Sequence, residues 1–337
     1  MKGSIVFAEF HPWNSTLKVG GHHYAERFAQ DGWRVLWLAN FLNWNRLIRR
    51  SEYDRLYLQA WRSGVAPVAK NVYTYTPLSY IPYIDLPVLS SLAVARSSLR
   101  WCWPSLKREL EGNQVEEWLC REANVVFATS RHLVDKANQW NRNVVYLPNG
   151  ADVERFQNPN LTLPTELTSI PEPRLLYVGA IAEWFDFDIV SKAARIKPEW
   201  SFILIGPWSA QIQHHRSRLE EIPNVYCLGP RKADAVPGYM KYADIGLIPF
   251  QVNELTHSVS PIKLFEYSAA GMPVIAPRLR EIQGYEAPIL YYDDLPQFIE
   301  AIETGLISRD ELTERFMEFG LNNSWEFRYR TICERLY

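Results

Sequence analysis

The chain has 337 residues, 47% of them hydrophobic and 22% charged, a globular balance that argues against disorder and allows two domains of ordinary size. No run of about 18 apolar residues occurs, which argues against a transmembrane helix, and the N-terminal MKGSIVFAEF lacks the apolar core and cleavage site of a secretory signal. Cys102, Cys120, Cys227 and Cys333 have no CxxC or CxxH spacing, so neither a disulfide framework nor a structural zinc site is expected, and a reducing cytoplasm fits.

The net charge of −2 hides an asymmetry. Residues 1–150 hold 18 Lys and Arg against 12 Asp and Glu, and residues 151–337 hold 18 against 26. Nine of the 13 tryptophans also lie in the first part. A basic, Trp-rich half beside an acidic half suggests different partners for the two.

Along the chain, Lys2 to Phe7 reads as a strand, Gly20-Gly21 opens a helix that Asp31-Gly32 ends, and Trp33 to Leu38 reads as a second strand. That is a βαβ unit. Residues 41–120 read as mostly helix and loop. Strands follow at Val125 to Thr129 and Val144 to Leu147. Residues 157–173 hold four prolines and read as a linker. Beyond them, short apolar strands at Leu175, Phe202, Val225, Ile245 and Val274, each closed by Gly or Pro, alternate with helices. This rhythm predicts a doubly wound parallel sheet. The expected organisation is an N-terminal domain over 1–156, the linker, a C-terminal domain over 174–320 and a final helix over 321–337.

The segment HSVSPIKLFEYSAAGMPV, His257 to Val274, carries the chemistry. Ser260 suits an N-cap, Pro261 a first helical position, and Gly271 with Pro273 a stop, so the spacing predicts a helix over 261–270. Lys263 then lies in the first turn, where the helix dipole disfavours a cation unless an anion sits there. Exposed N–H groups and an ammonium make a phosphate site. Glu266, three residues on, shares the face and suits a pair of ribose hydroxyls. The same spacing also fits a solvated Lys–Glu pair on an ordinary helix.

PIKLFEYSAAGMPVIA resembles the nucleotide-sugar segment of retaining glycosyltransferases with the GT-B fold, of the family-4 type. GG followed by a helix and WRVLWL, FATSRHL, YLPNGADVERF, NVYCLGP and ADIGLIPF resemble further segments in the same order. The resemblance implies two Rossmann-like domains facing a cleft, with the C-terminal helix returning to the N-terminal domain. It implies transfer of a sugar from a nucleotide-diphosphate donor to a glycan or polyprenyl-linked acceptor, with no bound cofactor or metal required. Lys263 and Glu266 become the catalytic pair. Gly20, Gly21, Gly179, Glu183, Gly229, Arg231, His257, Ser258, Val259 and Ser260 become donor-binding residues, all expected to line the cleft.

Two departures stand out. Ser258 occupies the place where the family often has the first of two glutamates. GAIAEWFDFD, after the strand at Leu175, lacks the family's Arg and Lys, so Lys263 and Arg231 are left to meet the diphosphate. This stretch is similar to a teichuronic-acid-type subgroup, which implies that Glu183, Trp184 and Asp186 line the donor sugar and that the protein serves cell-surface polysaccharide synthesis; the residues equally fit an N-cap aspartate and a packed tryptophan. The alternatives are a nucleotide-sugar-binding partner without strong catalysis, or an epimerase of the same fold.

Two further readings concern the first half. His22 and His23, at the start of the first helix, are expected to face the cleft and touch phosphate or acceptor. Arg96, Arg100, Trp101, Trp103, Lys107 and Arg108, with basic and aromatic residues in 41–62, suit an anionic membrane surface. Nucleic acid is not expected. The location expected is the cytoplasm, at the inner face of the plasma membrane.

Overall fold

In a computed structural model of the protein, residues 3–9, 13–14, 20–39, 58–59, 61–75, 117 and 120–336 are described. The chain divides into two compact units, Met1–Val126 with Ala137–Val144 and Phe127–Lys136 with Val145–Tyr337.

In the first unit, β1 (Ser4–Glu9), α1 (Gly20–Gln30) and β2 (Arg34–Ala39) form the expected βαβ step, with the strands parallel. α1 ends because Gly32 takes φ +90°. The N–H of Gly32 then bonds Ala29 O and that of Trp33 bonds Phe28 O, closing the helix end. His22, His23, Ala25, Phe28 and Ala29 are the buried residues of α1, which packs against β2.

The segment read as mostly helix and loop contains two strands, β3 (Ala66–Ala69) and β4 (Val72–Tyr75). They extend the sheet to the order β1-β2-β4-β3, with β4 parallel to β2 and β3 antiparallel to β4. Each is four residues long, too short to display a period in the sequence. The set Arg96, Arg100, Trp101, Trp103, Lys107 and Arg108 lies outside the described residues.

The strands β5 (Val126–Ala128) and β6 (Val144–Tyr146) pair with each other, and α2 (Arg131–Ala137) lies between them in the chain. The second unit then builds one sheet from β7 (Arg174–Val178), β8 (Ser201–Ile205), β9 (Val225–Gly229), β10 (Ile245–Leu247), β11 (Val274–Pro277) and β12 (Leu290–Tyr292). Its order is β12-β11-β10-β7-β8-β9, and every pairing is parallel. The sixth strand, Leu290–Tyr292, was not among those expected; three residues are too few to show a period of their own.

Both faces of this sheet are covered. Leu176 and Val178 of β7 point into one core, with Leu264, Phe265 and Phe316. Leu175 and Tyr177 point into the other, with Val190, Phe298 and Ile302. Burial on both faces is why these strands read as continuous apolar runs.

The expected linker 157–173 lies inside this unit. Leu167 and Ile170 are buried, and Arg174 donates to both of their carbonyls, at 3.1 and 2.9 Å. The C-terminal helix, Trp325–Leu336, is grouped with the second unit. Its Trp325 N–H bonds Ala151 O at 3.0 Å, and the Ala151 N–H bonds Asn323 O at 3.1 Å. Ala151 falls in the stretch the sequence assigned to the N-terminal domain.

Candidate functional site

The strand order of the second unit defines where a ligand can enter. β7 and β10 are neighbours. The chain leaves β7 toward α3 (Phe187–Ile196), which packs in one core. It leaves β10 toward α4 (Glu254–His257) and α5 (Ile262–Ala269), and α5 packs in the other core. Such a reversal opens a crevice at the carboxyl ends of the two strands.

Tyr267, buried on α5, stabilises that opening. Its hydroxyl donates to Leu176 O at 3.2 Å, at the last β7 residue in register with β10, and accepts from Val178 N at 2.9 Å beyond it. Its ring lies on Gly246, where a Cβ would sit 2.7 Å from ring carbons.

The carboxyl ends of β7, β8 and β9 form a rim of backbone. Gly179 N–H bonds Ile205 O at 2.9 Å, and Gly206 N–H bonds Gly229 O at 3.0 Å. Gly179 and Gly229 were both expected at the site, and they share this rim. Gly206, with φ +153°, presses on Gly179 so closely that a Cβ there would lie 1.7 Å from Gly179 O.

The predicted helix is α5, one residue shorter at each end than read. Its start is built differently. Pro261 occupies the N-cap position and supplies no side-chain bond. Ser260 is buried instead, its hydroxyl 2.8 Å from that of Tyr285 and accepting from Asn149 N at 3.4 Å. Lys263 and Glu266 do share a face and form an ion pair. Their side chains are 22% and 16% exposed, so both remain accessible from solvent. Ser258, Val259 and His257 make the approach to the helix. Ser258 Oγ donates to Glu254 O at 2.9 Å, Val259 N–H bonds Thr256 O at 3.3 Å, and His257 Nδ1 accepts from Arg280 N at 3.2 Å.

Three readings change. Arg231 was assigned to the diphosphate, but its guanidinium is engaged by Tyr239 Oη at 3.0 Å, Glu166 at 3.0 Å and Leu228 O at 2.5 Å. It ties the exit of β9 to residues 165–169. Asp186 is the N-cap of α3, accepting from Ile189 N at 3.0 Å, while Glu183 stays exposed and accepts from Ser209 Oγ at 3.1 Å. In the first unit Gly20 and Gly21 are the opening residues of α1, but His22 and His23 are buried. The His22 ring packs against Trp37 at 4.2 Å and Trp13 at 5.4 Å, which removes it from a solvent-facing role.

Sequence reasoning missed Glu281, only 2% exposed. Its carboxylate accepts from Arg131 N at 2.8 Å, Tyr146 Oη at 2.6 Å and Tyr285 Oη at 3.1 Å. Burial first, and then Glu281, push the Tyr146 phenol up to about 12, and burial raises Tyr285 further. Both phenols therefore keep their protons at neutral pH. A groove of about 710 Å³ borders this cluster, lined by Tyr146, Tyr285, Arg315, Phe319, Phe327 and Thr331. None of the expected donor residues lines it.

Comparison with known proteins matches part of this sequence to a family model and the chain to solved structures of one fold. Residues 172–307 match the family model described as Glycosyl transferases group 1. The Bacillus subtilis (strain 168) protein named "Putative teichuronic acid biosynthesis glycosyltransferase TuaH" is 30% identical over 230 residues, 64% of this chain and 57% of the relative. The chain thus aligns with little more than half of that relative's length. Among solved structures, a sucrose-phosphate synthase from Thermosynechococcus elongatus superposes with a TM-score of 0.68 at 16% identity, over 98% of this chain and 97% of that one. HepE of Anabaena in complex with UDP-glucose gives 0.68 at 15% identity, over 99% and 98%. The fold is GT-B. Its two units are Rossmann-like, and the family match falls on the second of them, across β7 to the end of Leu295–Ile307.

Proposed function

We propose that this chain transfers a sugar from a nucleotide-diphosphate donor, UDP in type, to a glycan or lipid-linked acceptor, with retention of configuration. The observation that carries the reading is the Lys263–Glu266 pair at the uncapped start of α5, inside the segment that matches Glycosyl transferases group 1. The complexes of HepE with UDP, with UDP and glucose, and with UDP-glucose support UDP as the nucleotide. The teichuronic acid relative supports a product in cell-surface polysaccharide.

In this reading the ribose hydroxyls bond to the Glu266 carboxylate. The α5 amides and the Lys263 ammonium face the β-phosphate, where negative charge grows as the glycosidic bond loosens. An ammonium has three donors, so Lys263 can keep Glu266 and take a phosphate oxygen together. The acceptor hydroxyl approaches on the face the diphosphate leaves and gives its proton to a departing phosphate oxygen, so no enzymic nucleophile is needed.

Calorimetry with UDP, GDP, ADP and dTDP tests the donor. UDP is expected to bind, and at 100 times its Kd to stabilise the protein by about 2.7 kcal/mol. Glu266→Gln is expected to weaken UDP binding about ten- to a hundred-fold, the loss of a charge-assisted bond pair. A parent protein that binds none of the four and turns over no UDP-sugar would overturn the reading.

For a lipid-linked acceptor, the basic and aromatic residues of 41–62 and 96–108 hold the enzyme at an anionic membrane. Vesicles with anionic lipid are expected to carry the protein on flotation at low salt and less at high salt. Absence of flotation at every salt would remove the membrane from this picture.

A further inference from the structure

We infer that Tyr285, held by Glu281, is a positioning residue for the turn that receives the donor diphosphate; the inference rests on the donor reading above. The turn Ser258–Pro261 leads directly into α5. A turn that must present N–H groups to a phosphate has to be held in one geometry before the ligand arrives. The helix does not hold it, because the N-cap position is Pro261 and makes no side-chain bond.

Ser260 supplies the hold. It is 6% exposed. Its carbonyl accepts from Asn149 Nδ2 at 2.7 Å, and its hydroxyl accepts from Asn149 N at 3.4 Å and lies 2.8 Å from the Tyr285 hydroxyl. Tyr285 in turn reaches Glu281 Oε1 at 3.1 Å. Glu281 is immobilised by what surrounds it. Arg131 N and Tyr146 Oη donate to its two oxygens, and the Arg131 guanidinium lies 3.4 Å from Oε1. That guanidinium also donates to Gly284 O at 2.7 Å, one residue before Tyr285. The Tyr285 ring is fixed independently of its hydroxyl, edge-on to Phe265 with centroids 5.5 Å apart and near Phe319 at 6.4 Å. Nothing in the donor chemistry itself requires Glu281 or Tyr285. Their effect on the ligand passes through Ser260.

Because the ring packing survives loss of the hydroxyl, Tyr285→Phe should fold and should loosen only the turn. The expected result is a loss of about tenfold in UDP affinity, the size of one hydrogen bond. UMP, which lacks the β-phosphate, should keep its affinity within about twofold, since ribose and base are held elsewhere. Ser260→Ala should lose at least as much UDP affinity, since its hydroxyl also accepts from Asn149 N at 3.4 Å, and the double variant should lose no more than Ser260→Ala alone, because both remove the Tyr285–Ser260 link. Tyr291→Phe is the control. It removes a neighbouring phenol that bonds Ile282 O at 3.0 Å, and UDP binding should stay at the parent level.

Calorimetry of UDP and UMP on the four variants and the parent decides the matter. Equal losses for UDP and UMP in Tyr285→Phe would mark a general structural role and overturn the inference. So would parent-level UDP binding in that variant, or additive losses in the double variant. A parent that binds no UDP would instead overturn the donor reading, and the positioning role with it.

Discussion

Lys263→Ala is expected to lower kcat by about two orders of magnitude while weakening nucleotide binding far less. The reason is where the ammonium sits. In the first turn of Ile262–Ala269 it adds a full charge to the partial charge of the helix start. The demand for that charge grows between ground state and transition state, as the bond to the diphosphate lengthens. The ribose contact through Glu266 does not grow in this way, so the two members of one ion pair should fail differently. Lys263→Ala should leave most of the UDP affinity and remove the rate, whereas Glu266→Gln should remove affinity with a smaller effect on the chemical step. Steady-state kinetics beside calorimetric UDP binding makes the comparison. If Lys263→Ala loses affinity and rate in equal proportion, Lys263 contributes ground-state binding only. If it turns over donor like the parent, the diphosphate does not bind at this helix.

The largest effect on stability is expected from Gly206→Ala. An added Cβ would stand 1.7 Å from the carbonyl oxygen of Gly179, and both partners are backbone at the ends of central strands. No side-chain rotation relieves that contact, so β7 and β8 must separate where Gly179 N–H bonds Ile205 O. The φ of +153° adds strain of its own for an L residue. A loss of more than about 4 kcal/mol is expected, and with it a fall in melting temperature on the order of 10 °C. Gly229→Ala separates the two causes. It shares a positive φ, +71°, but has open space within 4 Å of the added carbon, so only the backbone strain remains, about 1–2 kcal/mol. Urea unfolding of both variants reads the difference. Equal losses would mean that the approach of Gly206 to Gly179 is not a tight one.

What could be read without the structure was whatever depends on near neighbours in the chain. The strands of the second unit were legible because residues alternating to two buried faces, such as Leu175 with Tyr177 and Leu176 with Val178, leave an unbroken apolar run. The helix carrying Lys263 and Glu266 was legible because a stop signal and a three-residue spacing are local facts, and the two residues share a face as that spacing implies. The end of α1 at Gly32 was legible for the same reason. Short strands without a period, Ala66–Ala69, Val72–Tyr75 and Leu290–Tyr292, were not, since pairing with a neighbouring strand is what makes them strands.

Only the tertiary structure decided which polar groups are available to a ligand. His22 looks like a cleft residue until Trp13 and Trp37 close over it. Arg231 looks like a phosphate ligand until Glu166 and Tyr239 engage it. Ser260 suits an N-cap by position, yet Asn149 and Tyr285 hold its hydroxyl. Glu281 gave no signal at all, because its partner Arg131 lies 150 residues away. A hydrogen-bonding group has few bonds to make, and which partner takes them depends on the packing of distant segments. The sequence therefore determined the longer elements and the residue types of the candidate site, and the folded chain decided the short strands and which of those residues are free to act.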